Sequence, residues 1–167
     1  MLCIRVARDF PGLAVSLKEI SGSVLIIGPP GSGKTTLMRD LIRQKSLLQQ
    51  GSVAVVDERG ELFPLGFSRG KRVDVLTGCP KGQGIDILLR AMGPASIAVD
   101  EITAAEDCEA LIQACRCGVR LLATVHAFSA GDLRRRAVYR PLVEERIFEH
   151  ILLLRQDKTW RQERMTL

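Results

Sequence analysis

Aromatic residues are scarce, 4% of 167 positions with one Trp and one Tyr, and the only histidines are His126 and His150. The first shortage leaves little on which the bases of a single nucleic-acid strand could stack. It also means that a core must be built from Leu, Ile, Val and Ala, which suits parallel strands covered by helices. Five cysteines, Cys3, Cys79, Cys108, Cys115 and Cys117, are scattered without paired CxxC spacing and lie well before both histidines. Neither a disulfide framework nor a zinc site is expected, and Cys108 and Cys115 read as small apolar residues of a helix face. No apolar run reaches the ~18–20 residues that span a bilayer, and Arg5, Arg8 and Asp9 break any signal-peptide core. A cytoplasmic protein is expected.

Apolar types make up 46% of the chain, enough for one core of ordinary proportions, so a single domain is expected. The net charge is +5, and residues 119–167 hold 10 basic against 6 acidic groups. That surplus reads first as a solvated basic end, with nucleic acid, acidic lipid or an acidic partner as the other readings. Short, β-branched apolar stretches recur at residues 23–28, 52–57, 72–76, 96–100, 120–125 and 150–155, most of them separated by helical patterns. This alternation predicts a parallel sheet with crossover helices. After the first stretch, Leu37, Met38, Leu41, Ile42 and Leu48 recur at helical spacing with Arg39, Asp40, Arg43 and Lys45 opposite, an amphipathic helix. A second helix is announced by Thr103 and Glu106 as a capping box, carries Cys108, Leu111, Ile112 and Cys115 on one face, and stops at Gly118. Residues 59–71 read as a loop, and the stretches flanking Gln156, Asp157 and Lys158 as a closing hairpin.

The octapeptide Gly28-Pro29-Pro30-Gly31-Ser32-Gly33-Lys34-Thr35 matches the phosphate-binding loop between a buried strand and an amphipathic helix. Its glycines let successive backbone N–H groups turn toward phosphate oxygens, and the helix N-terminus adds partial positive charge. Lys34 is expected at the β- and γ-phosphates of ATP, Thr35 on Mg2+, and Thr36 near the α-phosphate. Two strands then end in the same acidic pair. Asp100 is expected to bind the magnesium and Glu101 to polarise water, while Asp57, Glu58 and Glu61 are expected to face the same nucleotide edge, since ligands gather at the carboxyl ends of parallel strands. Glu58 and Glu101 both stand as catalytic-base candidates. Thr124 and His126, at the end of a further strand, are placed to contact the γ-phosphate or the water.

These motifs carry a more specific resemblance. The run 28–36, the segment Val56-Asp57-Glu58-Arg59-Gly60-Glu61, the run Asp74-Val75-Leu76-Thr77-Gly78-Cys79-Pro80-Lys81, the segment Leu89-Arg90-Ala91-Met92-Gly93-Pro94 ahead of Val99-Asp100-Glu101-Ile102, and Ala123-Thr124-Val125-His126 resemble stage III sporulation protein AA. That family is related to the secretion ATPases of type II and type IV systems. The match runs from Ile4 to the basic C-terminal segment. It implies an α/β P-loop NTPase fold, a RecA-like three-layer sandwich with a mostly parallel sheet and a closing antiparallel hairpin. Residues 57–61 are similar to the Asp box of secretion ATPases and 124–126 to their His box. The resemblance further implies an ATP-hydrolysing motor that forms a homo-oligomer, usually a hexameric ring, peripheral to the cytoplasmic face of a membrane channel. Family members carry an N-terminal domain before the ATPase core, whereas this chain begins almost at the core, so the expectation is one domain over 1–167.

An arginine from a neighbouring protomer would offset transition-state charge in such a ring, with Arg59, Arg90, Arg116 and Arg120 as open candidates. A nucleotide or small-molecule kinase shares the phosphate loop but does not require two Asp-Glu strand ends and a Thr-Val-His end. A nucleic-acid-dependent ATPase is suggested by Arg134, Arg135, Arg136, Arg140, Arg155, Arg161 and Arg164, and disfavoured by the lack of aromatics.

Overall fold

The computed structural model describes residues 7–48 and 51–164; Cys3, Arg5 and the start of the family resemblance at Ile4 lie outside the described residues. Strands β1 (Val24–Gly28), β2 (Val53–Asp57), β3 (Val73–Thr77), β4 (Ser96–Val99), β5 (Arg120–His126), β6 (His150–Leu154) and β7 (Trp160–Arg164) form one sheet in the order β3-β2-β4-β5-β1-β6-β7. Every neighbouring pair is parallel except β6 and β7, the closing hairpin. The six apolar stretches read from the sequence are the first six strands, to within one residue at either end.

The inner stretches are continuous rather than alternating because both faces of the sheet are covered there: every residue of β1 and β2 is buried, whereas the edge strand β3 carries Asp74 and is only partly buried. Alternate side chains then serve opposite cores. Leu25, Ile27, Ala54, Val56, Ile97 and Val99 pack with α2 (Lys81–Met92), α3 (Ala105–Arg116) and the residues around the short α4 (Ala130–Arg135) and α5 (Arg140–Glu144). Val24, Ile26, Val53 and Val55 pack with α1 (Lys34–Leu47). Each such aliphatic side chain contributes roughly 1.5–3 kcal/mol by leaving water. Helix α2 lies so close to β2 that a Cβ on Gly84 would meet Val56 Cγ1 at 2.6 Å. Among the described residues, no helix is long and apolar enough to cross a membrane.

Helix α1 differs from its expected amphipathic form. Leu37, Met38, Leu41 and Ile42 face the sheet as expected, but Arg39, Asp40 and Arg43 on the opposite side are also buried. The segment leading into β1 and the loop after β2 cross over that side, and the polar groups become their anchors. Asp40 accepts backbone N–H groups of Gly12 (3.0 Å) and Ala14 (2.7 Å). Arg39 donates to the carbonyls of Arg8 (2.8 Å), Glu61 (2.9 Å) and Leu62. Arg43 forms a forked pair with Asp9 (2.7 and 2.8 Å) and donates to the Ser68 carbonyl. The loop after β2 has no regular structure of its own and is held by these bonds. At α3 the cap lies one residue later than expected: Ala104 is the first cap residue, and Asp107, not Glu106, accepts from the N–H groups of Thr103 and Ala104 (both 3.2 Å). Gly118, at φ +82°, follows the helix as expected.

Candidate functional site

The strand order places the carboxyl ends of β4, β5 and β1 side by side, with Gly28 of β1 opposite His126 of β5. The chain leaves β1 through the phosphate-binding loop, and α1 starts with Gly33 as its cap at φ +98°, a conformation natural to glycine. Gly28 has no room for a side chain, since a Cβ there would lie 2.8 Å from the Leu154 carbonyl oxygen of β6. Beside Gly31 there is open space. A cavity of about 1010 Å³ opens above the loop; its polar lining includes residues 31–36, Arg8, Arg39, Glu61, Asp100, Glu101, Thr124, His126 and Lys158. Phe10, Leu13, Pro64, Leu154 and Trp160 belong to its apolar lining.

Lys34 Nζ donates to the carbonyls of Gly28 (3.0 Å) and Pro29 (2.9 Å) and to His126 Nδ1 (2.9 Å). An ammonium can only donate, so Nδ1 accepts and the neutral ring carries its proton on Nε2, which faces Glu101 Oε1 at 3.2 Å. Burial pushes the Lys34 ammonium below its ordinary value, against the opposing pull of Asp100 and Glu101. Asp100 accepts from the hydroxyls of Thr35 (2.9 Å) and Thr124 (2.5 Å). Thr124 is fully buried, and its hydroxyl also accepts the Glu101 N–H at 2.7 Å, fixing Glu101 at φ +55°. A non-glycine residue in that region carries strain of order 1 kcal/mol or more. Thr124 therefore joins Asp100 to Glu101 within the protein and has no hydroxyl proton left for a ligand.

The fit of a triphosphate and its metal can be tested on the loop itself. Ser32 Oγ is buried and finds no hydrogen-bond partner among the described residues, the kind of orphan that a bound group satisfies. The Thr35 hydroxyl and the Asp100 carboxylate, in contact with each other, are the oxygen donors a magnesium ion takes. Among the described residues no three His, Cys, Asp or Glu side chains converge on a metal position.

The acidic pair after β2 lies elsewhere. Asp57 is buried and accepts the backbone N–H groups of Glu61 (2.9 Å), Leu62 (3.0 Å) and Phe63 (3.0 Å), so it folds the loop instead of facing the cavity. Glu58 accepts from Lys81 Nζ (2.7 Å) at the start of α2 and does not line the cavity, although Gly60 and Glu61 do. Of the four candidate arginines, Arg59 stands at the site, 3.6 Å from Glu101 Oε2. Arg116 pairs with Glu145 at 3.1 Å, Arg90 is exposed on α2, and Arg120 begins β5 at the end remote from His126. Lys158 and Trp160 are cavity residues that sequence reasoning placed only in a hairpin; the lone Trp at a strand start was the available signal.

The family model described as sporulation stage III, protein AA, matches residues 3–164. Stage III sporulation protein AA of Bacillus subtilis (strain 168) is 39% identical over 171 aligned positions, covering 93% of this chain and 55% of that protein. The chain thus spans little more than half of that relative. Among solved structures, the ATPase DotB of Legionella pneumophila superposes with a TM-score of 0.67 at 20% identity, covering 89% of this chain and 47% of that one. The pilus retraction motor PilT with bound ADP gives 0.63 at 18% identity, covering 87% and 46%. At such identities these two show the fold alone, an α/β fold with a mostly parallel sheet.

Proposed function

The chain belongs to the sporulation stage III, protein AA family, and from that premise we propose that it is the ATP-hydrolysing motor domain of an assembly energising a sporulation or secretion channel at the cytoplasmic face of a membrane. One observation carries the reading: Lys34, the Thr35–Asp100 pair and the Glu101–His126 pair converge on one cavity around an unsatisfied Ser32 hydroxyl. The ADP named with the pilus motor of like fold supports the nucleotide.

In this reading the backbone of residues 28–36 and the Lys34 ammonium hold the phosphate chain. Thr35 and Asp100 would hold magnesium, which would supply charge neutralisation to the phosphate chain. Glu101 orients and deprotonates the attacking water, with His126 holding its carboxylate and Thr124 its backbone. Glu101 is preferred over Glu58 as the base because Glu58 is tied to Lys81 away from the cavity. Arg59 is exposed, and its 3.6 Å contact with Glu101 leaves it open to a neighbouring protomer. Assembly as a homo-oligomeric ring would complete the charge around the phosphates.

Phosphate release measured against protein concentration, alongside mass in solution, tests this. Activity that rises steeply with assembly and disappears in Lys34→Ala is expected. Release unchanged in that variant, or absent at every concentration in the assembled protein with MgATP, would sink the proposal.

A further inference from the structure

The hairpin of β6 and β7 does more than close the sheet. Strand β6 lies beside β1, Leu154 is pressed against Gly28, and the turn that follows hangs over the phosphate-binding loop. The turn is built rigidly: Arg155 N–H donates to the Thr159 carbonyl (2.9 Å), Lys158 N–H to the Arg155 carbonyl (3.1 Å), and Asp157 accepts from both the backbone and the hydroxyl of Thr159 (3.0 and 2.6 Å). At its tip Lys158 adopts φ +70°, a conformation that favours glycine or asparagine. A lysine kept there at a backbone cost directs attention to its side chain. Its ammonium donates to the carbonyl of Gly31, and its stem passes 3.9 Å from the place a Gly33 Cβ would occupy.

We propose that Lys158 is a second cationic ligand of the nucleotide's phosphate chain, presented within the same chain by the β6–β7 turn; the inference rests on the ATP reading above. The charge balance of the cavity supports it. Glu61, Asp100 and Glu101 line the same space as Lys34, Lys158, Arg8 and Arg39; Arg39 is tied to three backbone carbonyls, and a triphosphate adds several negative charges to this near-even balance. A neutral carbonyl is a weak partner for an ammonium, and phosphate oxygens a strong one. Release from Gly31 needs only rotation of the flexible lysine side chain. The β6–β7 turn would thereby be fastened to the loop through the ligand, in place of the direct bond to Gly31.

The test measures binding of MgATP, MgADP and AMP by calorimetry to the whole chain and to Lys158→Asn, Lys158→Arg and Lys34→Ala. Asparagine tolerates the positive φ and removes the charge; arginine keeps the charge. Lys158→Asn is expected to melt like the parent without nucleotide yet bind MgATP roughly tenfold more weakly. AMP binding should be unchanged, and Lys158→Arg should restore most of the MgATP affinity. Parental MgATP affinity in Lys158→Asn, with binding lost in Lys34→Ala, would overturn the role of Lys158 and leave the ATP reading standing. A parent protein that binds neither MgATP nor MgADP would overturn that reading itself.

Discussion

Strands β2 and β4 are neighbours, run parallel, and exit into the same dipeptide, yet the two exits have different chemistry. After β2, Asp57 spends its carboxylate on three backbone N–H groups and Glu58 pairs with Lys81. After β4, Asp100 meets two threonine hydroxyls and Glu101 reaches His126. The difference lies in what stands next in the sheet. Strand β4 adjoins β5, which brings Thr124 and His126, and β5 adjoins β1, which brings the phosphate-binding loop. Strand β2 has the edge strand β3 on its far side and must organise its own exit. An Asp-Glu pair acquires a catalytic setting from its neighbours; alone it is a way to fold a loop.

The sharpest way to break this contrast is to neutralise each glutamate in turn. Glu101→Gln is expected to lower the rate of phosphate release from saturating MgATP by roughly 10²–10⁴-fold, the usual range for loss of a general base, while Glu58→Gln leaves it near the parent rate. Equal losses would mean that the two exits share the chemistry. The aspartates should behave in the reverse order. Asp57→Ala leaves three loop N–H groups without their acceptor and is expected to cost about 2–4 kcal/mol of stability, read as a lower urea midpoint. Asp100→Ala should lower that midpoint less and abolish the magnesium dependence of nucleotide binding.

The sheet was legible in the sequence because its inner strands are continuous apolar runs bounded by turn residues, and the phosphate loop because its glycines and lysine fall between a strand and a helix. The rest depended on distant chain. Arg39, Asp40 and Arg43 look like a solvated helix face until residues 8–14 and 61–68 are laid across them. Helical spacing reports which side meets the sheet and is silent on what covers the other. Asp57 carried a local clue, since Gly60 and Glu61 follow at turn spacing. Its likeness to Asp100 suggested chemistry instead. Nothing near Lys158 in sequence pointed to Gly31, 127 residues earlier; only the pairing of β6 with β1 brings them together.

Thr124 is the side chain that most distinguishes the β4 exit, since one hydroxyl serves both Asp100 and the Glu101 backbone. Thr124→Val keeps the shape and removes that link. It is expected to cost about 1–3 kcal/mol for the groups left unpaired and to reduce hydrolysis more than nucleotide binding. Thr124→Ser, which retains the hydroxyl, should recover most of both. Failure of Thr124→Ser to recover either stability or rate would assign Thr124 to packing alone.

The smallest expected effect is also the most specific. Burial lowers the Lys34 pKa, and Asp100 and Glu101 pull it back up, whereas Glu58 makes no such contribution. In the unfolded chain Lys34 holds its proton up to its ordinary value of 10.5; in the folded protein it releases the proton earlier. Between the two values the unfolded state binds more protons, so this group makes stability rise with pH there. Nucleotide affinity runs the other way, because phosphate is held by the charged ammonium and is lost as pH climbs through the folded value. Glu101→Gln removes one of the charges that raise that value, so its affinity for MgATP should fall off at lower pH than the parent's. Glu58→Gln should follow the parent curve throughout. Calorimetric titrations across the alkaline range would resolve the two, and coincident curves for Glu101→Gln and Glu58→Gln would mean that Lys34 does not sense the β4 exit.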